Sequence, residues 1–204
     1  MFPPLTPAVR SLLIANVAIF LLQNLLGDAF TNLLVLYPFG YGFMPWQVLT
    51  AGFAHASFGH LFFNMFALWM FGSALEMVWG QRRFMTYYLV CLLGANVLQL
   101  LVSIWLPAPT LGASGAVFGL LLAYGMIFPN NRMIVFPIPM EIRARYLVII
   151  YGALELLLAY TGWQPGVAHF VHLGGMLFGW LLIRYWRGQP PFNKRRPPGP
   201  RIVR

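Results

Sequence analysis

The sequence is poor in charge. Only 8% of its 204 residues are charged, and four acidic residues stand against thirteen basic ones. A soluble domain carries about 25% charged residues, whereas 60% of this chain is hydrophobic and its mean hydropathy is +0.73. This composition excludes an ordinary soluble domain and predicts a polytopic membrane protein.

Cysteine is nearly absent as well. The single cysteine, Cys91, lies inside an apolar run, which excludes a disulfide framework and a cysteine-based metal site. The formal net charge of +9 would suit a nucleic-acid partner. The basic residues, however, lie beside apolar runs and in a short tail, as in a membrane protein of defined topology. The sequence therefore predicts contacts with membrane lipids and none with nucleic acid.

Six apolar runs can be recognised, and they predict an all-α bundle of six transmembrane helices. The runs cover residues 11–27, 60–79, 84–105, 114–128, 144–160 and 168–186. They form one predicted domain, residues 1–187. The tail at 188–204 is rich in proline and arginine, and we expect it to be disordered and attracted to anionic headgroups.

The positions of lysine and arginine predict the orientation of the bundle. All thirteen basic residues fall on the side of the two termini, and the connections at 28–59, 106–113 and 161–167 carry none. The positive-inside rule then places both termini in the cytoplasm. The connection at 28–59 is aromatic and rich in glycine and proline, which predicts a structured external loop lying partly in the membrane interface.

The fourth run is too short to cross a bilayer. Its fifteen residues would form a helix of roughly 22 Å, against about 30 Å for the hydrocarbon core. Ser114 begins this run between Gly112 and Gly115, so we expect it below the external surface. A serine at this position suits a nucleophile, although small residues at helix starts also serve packing alone.

Other polar residues are predicted at the same depth. His60 and Asn64 are four residues apart and share one face of the second run, and His172 lies near the external end of the sixth. Histidine is the usual base for a serine nucleophile, and the tetrahedral intermediate needs hydrogen-bond donors. The pattern indicates a Ser114–His172 dyad, with the His60 ring, the Asn64 amide and the Ser114 N–H as oxyanion donors. Interhelical hydrogen bonds remain the alternative for His60 and Asn64.

Glycines predict how the fourth and sixth helices meet. Gly115 and Gly119 are four residues apart on the fourth run, and Gly175 and Gly179 are four apart on the sixth. Such small-residue faces let two backbones approach closely. We expect the two helices to pack through these glycines with Ser114 facing His172, and packing without chemistry is the alternative.

Glu155 is an acidic residue within the fifth run that could reach the level of Ser114. A dyad is the favoured arrangement, with a structural hydrogen bond as the favoured role of Glu155 and a substrate-side role left open. The pattern requires neither a metal nor a cofactor.

The combination of motifs resembles the rhomboid family of intramembrane serine proteases. The motifs are His60-x-x-x-Asn64, Gly112-Ala113-Ser114-Gly115 and His172-x-x-Gly175-x-x-x-Gly179, in order and on the matching runs. The resemblance implies Ser114 as nucleophile, His172 as general base and acid, and the oxyanion site named above. It also implies that Phe118 packs against His172.

The resemblance further implies a substrate class and a location. The family cleaves single-span membrane proteins near the external surface, with the fifth span as gate and the connection at 161–167 as cap. The short six-span form is the usual prokaryotic one, which predicts a bacterial cytoplasmic membrane. One departure is Gln47 after Trp46, where the family often has arginine, and it puts an arginine-based loop anchor in doubt.

Three other functions compete with proteolysis. A catalytically silent protein of the same fold would bind client helices, but such proteins have lost the serine or the histidine. A metal or haem protein could use the four histidines as ligands. A transporter would need a continuous polar path, whereas the polar residues cluster at one end. The four histidines are His55, His60, His169 and His172.

Overall fold

The computed structural model describes residues 3–135, 138–162 and 169–192, and most of them are helical. The helices are α1 Pro7–Leu26, α2 Asp28–Leu34, α3 Gln47–Thr50, α4 Phe58–Ala67, α5 Ser73–Trp79, α6 Gln81–Val102, α7 Ser114–Ile127, α8 Ala144–Thr161 and α9 His169–Trp186. Strands β1 Arg132–Val135 and β2 Ile138–Arg143 form an antiparallel pair, which the hydrophobic runs do not predict. Each apolar run corresponds to a helical segment within a few residues.

Four helical segments of the described residues are long and apolar enough to cross a membrane. They are Pro7–Leu26, Phe58–Trp79, Gln81–Val102 and Ala144–Thr161. Helix α7 has 14 residues, or roughly 21 Å, as expected for the short run. Helix α9 has 18 residues and falls outside the four. The count of six crossings stays a prediction, and residues 163–168 and 193–204, in the expected cap and tail, lie outside the described residues.

Helices α4 and α5 are joined by a π-helical turn, Leu68–Gly72, so that Phe58–Trp79 forms one segment of 22 residues. A π-helical turn widens the helix and changes which residues face each neighbour. At its end, a Cβ on Gly72 would lie 3.0 Å from Val9 of α1 and 3.2 Å from Phe84 of α6. The turn therefore ends where three helices converge, a detail that hydrophobic periodicity alone does not reveal.

Glu76 of α5 holds the start of α1. Its carboxylate accepts hydrogen bonds from the backbone N–H groups of Ala8 at 2.9 Å and Val9 at 3.0 Å, and from the Thr6 hydroxyl. The first N–H groups of a helix have no partner within the helix and favour negative charge. This buried carboxylate is therefore satisfied by a helix N-terminus and has a structural role.

Helix α6 lies at the centre of the bundle. The side chains of Phe84, Tyr87 and Tyr88 are fully buried, and the Tyr87 hydroxyl donates to the Gly119 carbonyl of α7 at 2.8 Å. Helices α1 and α8, in contrast, expose large apolar side chains, as expected for surfaces that face lipid. Examples are Leu21, Leu25, Ile149, Leu156, Leu157 and Tyr160.

Gln47 anchors the connection between α1 and α4. Its side-chain oxygen accepts from the backbone N–H groups of Met44 at 3.0 Å and Tyr37 at 3.2 Å, and the residue is 2% exposed. The position where the family often carries arginine therefore holds this loop through an amide. Backbone hydrogen bonds between Leu36 and Thr110 tie the same loop to the segment that precedes α7.

Candidate functional site

The contact between α7 and α9 is made at glycines. A Cβ on Gly175 would overlap the carbonyl oxygen of Gly115, and a Cβ on Gly119 would lie 3.0 Å from the Gly175 carbonyl oxygen as well as 2.5 Å from the Cys91 sulfur of α6. Gly115 and Gly175 therefore meet as expected. Gly179 differs from the expectation, because a Cβ there would overlap the Tyr87 hydroxyl, which places this glycine against α6. The contact was predicted correctly for Gly115 and Gly175, whereas Gly119 and Gly179 also pack against the central helix α6.

This close approach brings Ser114 and His172 together. Ser114 is the first residue of α7, His172 lies one turn into α9, and the Ser114 Oγ is 2.9 Å from the His172 Nε2. Phe118, one turn after Ser114, stacks on the imidazole with ring centroids 4.1 Å apart and an angle of 5° between the planes. The serine thus holds the edge of the imidazole through Nε2, and the aromatic ring holds its plane.

His60 lies against the backbone that leads into Ser114. Gly112 has a φ of +126°, and a Cβ there would lie 2.7 Å from the His60 ring. The start of α4 is capped by the Ser57 hydroxyl, which accepts from the His60 N–H at 3.1 Å. A glycine is therefore needed at 112 both for its backbone conformation and for space, and the resulting contact holds the ring beside the start of α7.

Asn64 lies one turn further along α4 and is 6% exposed. Its Nδ2 donates to the His60 carbonyl at 2.9 Å. Among the described residues it forms no hydrogen bond with Ser114 or His172. The structure thus places the His60 ring beside the start of α7, and the Asn64 amide bonds to the His60 backbone.

His55 stands in the loop before α4, edge-on to His60 with ring centroids 5.1 Å apart. Burial, with a smaller effect from His60, lowers the pKa of His55 to about 4. The His55 ring is therefore neutral near pH 7 and adds no positive charge beside His60.

Helix α8 adds a carboxylate to the site. The Glu155 Oε1 lies 3.0 Å from the His172 Nδ1, and the Glu155 Oε2 lies 2.6 Å from the His169 Nδ1. The His172 contact is at ion-pair distance without the alignment of a full hydrogen bond. The sequence favours a structural hydrogen bond for Glu155, which the bond to His169 provides, but it does not predict the contact with His172. The available signal was a charged residue inside an apolar helix together with two histidines three residues apart.

Glu155, His169 and His172 could be considered as metal ligands, since their ligand atoms lie within 4.8 Å of one another. Two ligands of a tetrahedral zinc ion, each about 2.0 to 2.1 Å from the metal, stand about 3.3 Å apart. The carboxylate oxygens here approach the imidazole nitrogens to 2.6 and 3.0 Å. These distances fit proton sharing between the side chains better than coordination of a metal.

Comparisons with known proteins agree with the motifs. Residues 42–188 match the rhomboid domain family. Rhomboid protein 1, mitochondrial, of Saccharomyces cerevisiae is 30% identical over 158 residues, which cover 68% of this chain and 42% of the yeast protein. Presenilin-associated rhomboid-like protein, mitochondrial, of Homo sapiens is 31% identical over 160 residues, covering 72% and 41%.

A bacterial relative is the rhomboid protease GluP of Bacillus subtilis, 38% identical over 87 residues, which cover 43% of this chain and 17% of that protein. The chain spans about two-fifths of the length of the mitochondrial relatives that it matches. The match to the family model and the apolar helices together identify an integral, multi-pass membrane protein. The chain belongs to the rhomboid family.

Proposed function

We propose that the chain is an intramembrane serine endopeptidase with a Ser114–His172 dyad. The observation that carries this proposal is the 2.9 Å approach of the Ser114 Oγ to the His172 Nε2 at the glycine contact between α7 and α9. A serine hydroxyl becomes an effective nucleophile when an adjacent base accepts its proton. The family membership and the stacked Phe118 ring support the same function.

In the proposed reaction the Ser114 Oγ forms a bond to the scissile carbonyl carbon while its proton moves to the His172 Nε2. The electron pair of the carbonyl moves to its oxygen. Collapse of this intermediate breaks the C–N bond, and His172 returns the proton to the leaving amine. A water molecule then attacks the acyl-enzyme, with His172 as base again, and releases the acid and free Ser114.

We assign the oxyanion site to the Ser114 N–H, the His60 ring and the Asn64 amide. The N-terminus of α7 directs its unpaired N–H groups and its positive dipole end toward the same place. The packing of His60 against Gly112 supports its role. Asn64 supports it through its bond to the His60 carbonyl, and its amide would act directly after a change of rotamer.

We propose single-span membrane proteins as substrates, cleaved near the external face. The domain at 1–187 would cross the membrane six times with both termini in the cytoplasm, as the lysine and arginine positions predict. A bacterial cytoplasmic membrane is the proposed location. The bacterial relative is compatible with it, whereas the mitochondrial names of the other relatives do not support it. The proposed chemistry uses side chains and water only, without a cofactor.

A catalytically silent protein that binds client helices is the second candidate, because the two mitochondrial relatives are only 30% and 31% identical to the chain. The retained Ser114 and His172 at hydrogen-bond distance favour the active enzyme.

The test is labelling by a fluorophosphonate probe in detergent micelles. We expect the wild-type protein to be labelled, and Ser114→Ala and His172→Ala to lose at least about 10³-fold in labelling rate, because the nucleophile or its base is removed. Ser73→Ala is the matched control, since Ser73 is fully buried about 20 Å further along the Phe58–Trp79 segment than His60 and should keep the wild-type rate. A folded wild-type protein that is not labelled would favour the client-binding alternative.

A further inference from the structure

Glu155 is a buried acidic group that a Ser–His dyad leaves without a function. We propose that Glu155 is a positioning residue for His172, whose carboxylate keeps the Nδ1 of the imidazole protonated and its Nε2 free to accept the Ser114 proton. The site would then operate as a serine–histidine–glutamate triad. This inference rests on the proposed function and extends it to a third residue.

The two carboxylate oxygens of Glu155 have different partners. Oε1 lies 3.0 Å from the His172 Nδ1, and Oε2 lies 2.6 Å from the His169 Nδ1. An ionised carboxylate only accepts hydrogen bonds, so the imidazole nitrogen that faces it carries the proton. For His172 this leaves the other nitrogen, Nε2, as an acceptor 2.9 Å from the Ser114 Oγ. The geometry therefore selects the tautomer that the proposed reaction needs.

His169 fixes the direction of the carboxylate. It is 5% exposed and lies three residues before His172 on the same face of α9. With Oε2 held by His169, rotation of the carboxylate is restricted and Oε1 stays beside His172. The incomplete alignment at His172 is compatible with this role, because catalytic hydrogen bonds are often loose before the substrate binds and tighten afterwards.

Because Glu155 is buried, its negative charge acts strongly on the groups beside it. The residue is 7% exposed, and a buried carboxylate is costly unless it is paired. Among the described residues, the titratable groups that face His172 are His60 of α4, Glu155 of α8 and His169 of α9 itself. Only Glu155 among these groups brings negative charge. It is therefore the group that can stabilise the imidazolium formed when Ser114 transfers its proton.

The experiment measures the rate of fluorophosphonate labelling at a series of pH values, per folded protein, for Glu155→Gln, Glu155→Ala and Glu155→Asp. We expect Glu155→Gln to label up to about 10⁴-fold more slowly than wild type, which is the loss that the equivalent acid-to-amide change causes in a soluble triad. The half-maximal rate should move to lower pH, because an imidazolium without its carboxylate loses its proton more readily.

The comparison of glutamine with alanine separates positioning from packing. The glutamine amide can donate to the His172 Nδ1, which leaves the proton on Nε2 and blocks acceptance from Ser114. Positioning therefore predicts that Glu155→Gln is no faster than Glu155→Ala, whereas a packing role predicts that the isosteric glutamine is faster. Glu155→Asp keeps the charge, so we expect an intermediate rate with the pH midpoint near that of wild type.

Glu76→Gln is the matched control, because Glu76 is also buried on a predicted span but bonds to the start of α1. It should lower the unfolding temperature and leave the pH midpoint of the folded protein unchanged. A Glu155→Gln protein with the wild-type rate and midpoint, or with a higher rate than Glu155→Ala, would overturn the inference. So would loss of labelling on chelation that zinc restores, since Glu155 would then be a metal ligand. A wild-type protein that is not labelled would instead refute the proposed function.

Discussion

Helix α9 meets its neighbours through two very different faces. The α7 face of α9, centred on Gly175, makes backbone contact with Gly115, and a side chain at either position would separate the helices. The α8 face, centred on Met176, makes side-chain contact, since a Cβ on Gly152 of α8 would lie 3.3 Å from the Met176 methyl group. A methionine can change rotamer, whereas a backbone carbonyl cannot move independently of its helix.

The two faces hold different parts of the candidate site. The α7 face carries the Ser114–His172 pair, and the α8 face carries the contact between Glu155 and His172. In its most apolar stretch α8 has 22% of its residues buried, against 50% for the central α6. The proposed nucleophile and base thus lie at the rigid contact, and the proposed positioning carboxylate comes from a helix that has fewer constraints.

Replacement of Gly175 should produce the largest effect, because it attacks the rigid face. In Gly175→Ala the new methyl group overlaps the Gly115 carbonyl, so α7 and α9 must separate. We expect the free energy of unfolding to fall by about 3 kcal/mol, at the upper end for overpacking, and labelling of Ser114 to fall to background. Unfolding in mixed micelles of increasing SDS fraction, followed by tryptophan fluorescence, measures the first effect.

Gly59→Ala provides the matched control for that measurement. Gly59 lies in the first turn of α4, and a Cβ there would meet nothing within 4 Å. Alanine at an exposed helical position should be neutral or stabilising by up to about 1 kcal/mol. Equal unfolding curves for Gly175→Ala and Gly59→Ala would show that the α7 face is not rigid.

The sequence was sufficient to predict the approach of Gly115 and Gly175 at the centre of the rigid face, although not the packing of Gly179 against α6. Hydrophobic runs located the helices, and the four-residue spacings of Gly115 with Gly119 and of Gly175 with Gly179 indicated which surfaces approach each other. Backbone contact has this strong signature because it requires small residues such as glycine on both helices. Ser114 and His172 then follow from their places at the ends of the two helices, so that the central pair of the site was predicted together with its packing.

The α8 face could not be predicted in the same way. Glu155 lies in a helix with apolar residues on most sides, and its direction depends on how that helix is rotated about its axis. The hydrophobic pattern of a helix that faces lipid does not fix this rotation, because lipid and core are both apolar. Gln47 shows a similar limit, since its role becomes evident only when the loop brings the Tyr37 and Met44 N–H groups to its amide.

Replacement of Phe118 should have an intermediate effect, because this ring of α7 contacts a residue of α9 and a residue of α8. It stacks on His172 at 4.1 Å and lies edge-on to Tyr151 of α8 at 6.3 Å. Loss of an aromatic pair costs about 0.5–1.5 kcal/mol, so we expect Phe118→Leu to slow labelling by roughly 2- to 12-fold. A time course of fluorophosphonate labelling, with samples quenched at intervals, measures the rate.

Phe63→Leu is the matched control for this change, since Phe63 is 62% exposed on the apolar surface and should keep the wild-type rate. If Phe118→Leu also retained that rate, the stacked ring would not be needed to orient His172. The α7 face and the α8 face of α9 would then act on His172 independently of the Phe118 ring.

Replacement of Gly152 should have the smallest effect and tests the adjustable face directly. In Gly152→Ala the new methyl group approaches the flexible end of Met176 at 3.3 Å, and that side chain can move aside. The gain in helix propensity, up to about 1 kcal/mol, offsets this adjustment, so unfolding and labelling should stay close to wild type. If Gly152→Ala lost stability as Gly175→Ala does, α8 would be held as rigidly as α7. Glu155 would then be fixed by the bundle itself, and His169 would not be needed to hold its carboxylate in place.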